Sequence, residues 1–219
     1  MSNKDRGYMR IIAVLNEKGG SGKTTISTNM ARGFQLKGRQ VLLVDSDPQG
    51  SARDWYAAAG EDNDLPPVVG LDRPALFKDV KSIASGSELI IIDGAPQLEE
   101  LAVAAMKVAD MVIIPVQPSP YDVWATDSLV SLIRTRQEIT DGRPGAAFVI
   151  SRQIVGTKLA GEVRQALEDY KLPIMKACTS QRVVYANSAA TGSTVLDADP
   201  EGPAAKEIQL LIEEVVSWL

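Results

Sequence analysis

The stretch Leu15–Ser27, LNEKGGSGKTTIS, packs three glycines, two lysines and several hydroxyl side chains into a short segment. Residues of these types at this spacing can hold a phosphate chain. Gly19, Gly20 and Gly22 let the backbone turn tightly, so that successive N–H groups, with that of Ser21 among them, converge on phosphate oxygens. A helix opening directly after such a loop adds partial positive charge at its first turn. Lys23 would reach the β- and γ-phosphates, and the Thr24 hydroxyl, with Thr25 behind it, would sit at a bound Mg²⁺. The usual pattern, G-x-x-x-x-G-K-[ST], asks for glycine five places before Gly22. Glu17 stands there instead, and a second lysine, Lys18, follows it.

Two further stretches could complete the chemistry. In VDSDPQGS, Asp45 and Asp47 end a strand-like run, and Pro48 breaks it, so both aspartates are expected on a turn. Alone they would be a polar turn with a capping side chain. Beside a phosphate loop they suggest contact with Mg²⁺ and the positioning of a water for attack. In ELIIIDGAP, four apolar residues lead into Asp93. That arrangement places a carboxylate near Mg²⁺, and Gly94 and Pro96 make the next loop a candidate switch. Many buried strands end in aspartate, so the pattern gains its force from the other two at one sheet edge.

Short apolar strands and helical patterns alternate along the chain and must position these residues. Strands are expected at 10–16, 40–45, 88–93, 110–116 and 145–151, with a weaker sixth at 172–177. Helices are expected at about 23–37, 97–108, 122–139, 157–170 and 203–219. In the first, Ile26, Met30, Ala31 and Phe34 share one face. In the last, Ile208, Leu211, Ile212 and Val215 do, with Pro203 suited to its first turn. Nearly continuous apolar strands alternating with helices indicate an α/β fold: a doubly wound, mostly parallel sheet with helices on both faces. One domain over 1–219 is expected, with 1–9 a polar extension. The segment 60–74 reads as a surface loop with room for one short strand.

Composition narrows the chemistry. The chain has no histidine and one cysteine, Cys178, which excludes histidine-based nucleophile systems and clusters of His or Cys metal ligands. Any metal would be a hard ion held by oxygens. No long apolar run suggests a membrane span, and a cytoplasmic setting is expected. The net charge of −5 argues against nucleic acid, yet Ser151–Ala186 carries six basic residues against three acidic ones.

KGGSGKTT, VDSDPQGS and IIIDGAP, in this order and spacing, resemble the deviant Walker ATPases of the ParA/MinD superfamily. VIIPVQPSPYD (112–122), which contains Pro118, is similar to that family's nucleotide-side loop. The likeness covers nearly the whole chain, and TSQRVVYANSAATGSTVLD and AAKEI resemble the small plasmid-partition ParA proteins. About nine residues precede the first strand, leaving no room for a helix-turn-helix domain. The resemblance implies ATP and Mg²⁺ as cofactors and ATP hydrolysis as the reaction. It makes Lys18 a signature lysine reaching the partner's phosphates in an ATP-sandwich homodimer. It gives Asp47 the attacking water, Asp45 support of Mg²⁺, Asp93 a Mg²⁺-bound water, and Arg152 a place beside adenine. Non-specific double-stranded DNA binding on the nucleoid is implied too, with Lys158, Arg164, Lys176 and Arg182 as candidate contacts. A small centromere-binding ParB-like protein or a cargo adaptor would stimulate hydrolysis. The acidic tail at 203–219 argues against a membrane-surface helix. The expected function is segregation of plasmid DNA. The alternatives are positioning of a protein cargo (a carboxysome or chemoreceptor cluster), or, in another class, a metabolic P-loop enzyme or a nucleotide-binding regulator.

Overall fold

The computed structural model describes residues 9–96 and 99–219. The polar extension expected at 1–9 therefore lies almost wholly outside the described residues, as does the start of the helix expected at 97. The described strands are β1 (Arg10–Val14), β2 (Val41–Asp45), β3 (Val68–Gly70), β4 (Leu89–Asp93), β5 (Met111–Val116), β6 (Gly145–Gln153) and β7 (Ile174–Ser180). They form one sheet in the order β3-β2-β4-β1-β5-β6-β7, and every pairing is parallel. The chain leaves β1 toward β2 on one side and later fills β5, β6 and β7 on the other. The reversal beside β1 is where an open α/β sheet leaves a crevice at the carboxyl ends of its strands.

The helices are α1 (Lys23–Leu36), α2 (Ser51–Ala58), α3 (Val80–Ile83), α4 (Glu99–Val108), α5 (Pro120–Trp124), α6 (Asp127–Ile139), α7 (Leu159–Glu168), α8 (Val183–Ala190), α9 (Val195–Ala198) and α10 (Pro203–Val216), and a 3-10 turn at Pro74–Asp79 leads into α3. Alternate strand residues serve opposite faces. Ile11, Ala13, Leu42, Val44, Ile90 and Ile92 pack with Leu101, Leu129, Ile133 and Leu167 of α4, α6 and α7. Ile12, Val14, Leu43, Ile91 and Ile113 pack with Ile26, Met30, Ile208, Leu211 and Ile212 of α1 and α10. Burial on both faces is why the strands read as unbroken apolar runs.

The structure departs from the expected elements where local pattern is weak. The helix expected at 122–139 is two helices, broken at Ala125–Thr126. The weak sixth strand is the seven-residue edge strand β7, which runs on to Ser180. Its free edge is covered by α10. Glu214 takes the Lys176 and Ala177 N–H groups at 2.9 and 2.8 Å, and Glu207 takes that of Ser180 at 2.9 Å. These bonds satisfy donors that an uncovered edge would offer to another chain.

Candidate functional site

The glycine loop joins β1 to α1, as its pattern requires. Gly20 and Gly22 have φ of +74° and +96°, a region that side chains rarely adopt, so glycine is needed at both. Gly22 is also the residue from which α1 departs. The loop is anchored from behind. Asn16 is buried; its Nδ2 donates to the Pro115 carbonyl at 2.6 Å, and its Oδ1 accepts the Lys18 N–H at 2.8 Å. Ser151 Oγ donates to the Ser21 carbonyl at 2.6 Å. Gln117 Nε2 and the Arg152 guanidinium both donate to the Gly20 carbonyl, at 2.6 and 3.3 Å.

The two lysines differ in burial. Lys23 is buried, and its Nζ donates to the Lys18 carbonyl at 2.9 Å. Burial lowers its pKa, while the charges of Asp93 and Asp47 push it back up. Lys18 is exposed.

Asp93 closes β4 and is fully buried. One carboxylate oxygen accepts the Ser27 hydroxyl at 3.0 Å; the other, Oδ2, has no hydrogen-bond partner. Burial raises its pKa to about 7, against the lowering effect of the Thr24 and Ser27 hydroxyls and with a further push from the Asp45 charge. An orphaned, desolvated carboxylate oxygen beside the Thr24 hydroxyl and a buried ammonium is a donor set that fits a divalent cation bound with phosphates.

The structure separates the two aspartates of VDSDPQ. Asp45 is not on the turn. It ends β2, in register with Asp93, and is fully buried. Its Oδ1 accepts the Asp47 N–H at 3.0 Å, and its Oδ2 accepts the Arg53 N–H at 3.0 Å and the Arg53 Nε at 3.3 Å. Both oxygens thus help to hold the start of α2, and Asp45 does not line the cavity beside the loop. Asp47 lies on the turn and lines the cavity. Arg53 Nη2 donates to its carbonyl at 2.9 Å, so Arg53 clamps the whole turn.

The loop opens into a cavity of about 440 Å³. Gly19, Gly20, Gly22, Lys23, Thr24 and Thr25 line it together with Asp47, Ser51, Pro96, Arg152 and the segment 179–189, and Ser51 neighbours Tyr185 and Ala186. Pro118 does not line it; its neighbour Gln117 makes the contact from that segment. The candidate DNA contacts are scattered. Arg182 lines this cavity and pairs with Glu207 at 2.8 Å, so its charge is engaged. Arg164 donates to the Met175 carbonyl at 2.8 Å. Lys158 and Lys176 are exposed. Nothing in the local sequence marks Ser151, Gln117, Arg53 and Glu207 as site residues, because each acts through a tertiary contact that carries no local pattern.

Residues 12–195 match the model of the CobQ/CobB/MinD/ParA nucleotide-binding domain. The chain belongs to this family. It is a P-loop ATPase by its loop, its carboxylates and this membership. Maintenance of carboxysome distribution protein A of Halothiobacillus neapolitanus is 31% identical over 94% of this chain and 95% of its own length. The chromosome-partitioning ATPase Soj of Thermus thermophilus is 28% identical, with 97% of each chain covered. The septum site-determining protein MinD of Pyrococcus horikoshii OT3, solved with Mg-ADP, shares the fold at a TM-score of 0.73 and 21% identity, covering 95% of this chain and 96% of its own. No helix among the described residues is long and apolar enough to cross a membrane.

Proposed function

We infer that this chain is an ATP-driven positioning ATPase of the ParA type whose cargo is a protein assembly carried on the nucleoid. The observation that carries the cargo class is the 31% identity to a carboxysome distribution protein over nearly the whole of both chains. Plasmid DNA as cargo is the second reading, favoured by the likeness to a chromosome-partitioning ATPase.

ATP lies along the loop with its phosphates on Gly19–Thr25. Lys23, already buried among Asp93 and Asp47, neutralises the β- and γ-phosphates. Thr24 and the free oxygen of Asp93 would hold Mg²⁺, which would supply charge stabilisation to the phosphoryl group. Asp47, which lines the cavity, orients the attacking water. Catalysis here is positioning and electrostatics, and turnover is slow until both are complete. Lys18 is spare in its own site and reaches the phosphates of a second copy, so the ATP-bound homodimer is the complete enzyme. That dimer binds double-stranded DNA without sequence preference, using exposed Lys158 and Lys176, and an adaptor protein stimulates hydrolysis and release.

Disruption of the gene in its own cells, with imaging of protein assemblies and measurement of plasmid retention, tests the cargo. Clustered assemblies with normal plasmid retention are the expected result. Plasmid loss with normally spaced assemblies overturns the cargo assignment in favour of DNA. Particle mass with ATP and Mg²⁺ against ADP tests the switch: equal masses overturn it.

A further inference from the structure

Much of the cavity lining outside the glycine loop comes from 179–186, and one carboxylate from the C-terminal helix holds that segment. Glu207 Oε2 accepts the Ser180 N–H at 2.9 Å and the Tyr185 hydroxyl at 3.2 Å. Its Oε1 accepts Arg182 Nε at 3.1 Å and Nη2 at 2.8 Å. Ser180, Arg182 and Tyr185 all line the cavity, whereas Glu207 does not. Four donors from the cavity wall thus converge on two oxygens of a side chain just behind it. A nucleotide with its phosphates on Gly19–Thr25 would meet this wall, beside Arg152, with its ribose or base.

We propose that Glu207 is a positioning residue for nucleotide binding: it acts through Ser180, Arg182 and Tyr185 to hold the ribose- and base-side wall in its binding shape. The inference rests on the reading of the cavity as an ATP site. Its logic is separable from general stabilisation, because α10 carries an internal control. Glu214, two turns further along the helix, caps the same edge strand through Lys176 and Ala177, away from the cavity. Both glutamates cover the edge of β7; only Glu207 grips the wall.

The test compares Glu207→Gln with Glu214→Gln in ATP hydrolysis and in equilibrium binding of a fluorescent ADP. The amide of Glu207→Gln turns a donor toward groups that themselves donate, so the wall loses its anchor with little change in shape. Wall disorder should weaken nucleotide binding and raise KM by about tenfold, the equivalent of one charge-assisted hydrogen bond, with kcat nearly unchanged. Glu214→Gln should leave both constants at wild-type values while lowering the melting temperature. Tyr185→Phe, which removes one of the four donors with little risk to folding, should show a smaller loss in the same direction and serves if Glu207→Gln does not fold. Equal KM values in the two glutamate variants overturn the proposal, as does a fall in kcat at constant KM. A wild-type protein that binds no nucleotide would overturn the ATPase reading beneath it, a result distinct from either.

Discussion

Substitution of Asp93 by asparagine should remove a pH dependence that the metal-free protein carries. Asp93 has a raised pKa, about 7 against 3.8 for an ordinary aspartate, because burial disfavours its charge and Asp45 lies in register beside it. For an acid shifted upward, the folded state binds more protons than the unfolded one between the two values. The contribution of Asp93 to stability is therefore full below about pH 4, falls as pH rises toward 7, and is lost above. At about 1.4 kcal/mol per pH unit, the shift of about three units is worth about 4 kcal/mol in total, an upper figure because the buried site can relax. Between pH 5 and pH 8 the loss is about 3 kcal/mol. The measurement is urea unfolding in EDTA at those two values for wild type and Asp93→Asn. Carboxylates away from Asp93 contribute equally to both proteins, so the difference of differences reports Asp93 together with its coupling to Asp45. Wild type should lose about 3 kcal/mol more than the variant on going to pH 8. A variant that loses as much as wild type refutes the reasoning, because Asp93 would then titrate as an ordinary carboxylate. At pH 8 the variant should also be the more stable protein without metal and the worse binder of Mg²⁺ with ATP, as expected of a buried charge kept for a cation.

Three other changes separate the remaining roles. Arg53→Leu frees the Asp45–Asp47 turn from its clamp; kcat for ATP should fall about tenfold while KM stays within about twofold, and an unchanged kcat would show that the clamp does not position Asp47. Lys18→Ala should bind ADP like wild type, since its loop contacts are made by its backbone N–H and carbonyl. Light scattering should then give a monomer with ATP and Mg²⁺, and an ATP-dependent dimer in this variant would contradict the role given to Lys18. Lys158→Glu with Lys176→Glu should weaken binding to random-sequence DNA and flatten its salt dependence by about one unit of slope for each phosphate no longer neutralised; an unchanged slope would place the DNA surface elsewhere.

What is legible in the chain follows from how each part is held. Strands buried on both faces and the one-sided helix α10 write their environment into an apolar pattern and can be read directly; α1 keeps an apolar face but also buries Ser27, Thr28 and Asn29. The phosphate loop is legible because positive φ at Gly20 and Gly22 demands glycine, and because lysine and threonine are fixed in sequence relative to them. Helix α2 is not, since it buries only Ala52 and Trp55, and α8 is not, since it buries only Ser188. The break between α5 and α6 carries neither proline nor glycine. Strand β7 reads as weak because an edge strand needs apolar residues on fewer positions and takes its remaining partners from Glu207 and Glu214, far along the chain. Asp45 and Asp47 are the same residue type two places apart, and nothing local distinguishes them. Arg53 does, by engaging Asp45 in the interior and leaving the Asp47 side chain at the cavity.

The irregular start of the loop has a structural reason that also bears on Lys18. A glycine at position 17 would serve only if the backbone there needed a positive φ or lay against the phosphates. Neither holds. Glu17 is not among the residues with positive φ, and it does not line the cavity. Its carboxylate faces α6, where it accepts the Ser128 hydroxyl at 2.6 Å. Asn16 has already set the path of the chain through Pro115 and the Lys18 N–H, so the part of the loop that meets phosphate begins at Gly19. Lys18 stands just outside that boundary. Its carbonyl is the acceptor that fixes Lys23 Nζ, so displacement of the Lys18 backbone would disturb the buried lysine, whereas removal of its side chain would not. The two lysines are therefore not duplicates. Lys23 has given up solvation to sit among carboxylates at the floor of the site. Lys18 keeps its solvation outside the cavity, as the proposed contact with a second copy's phosphates requires.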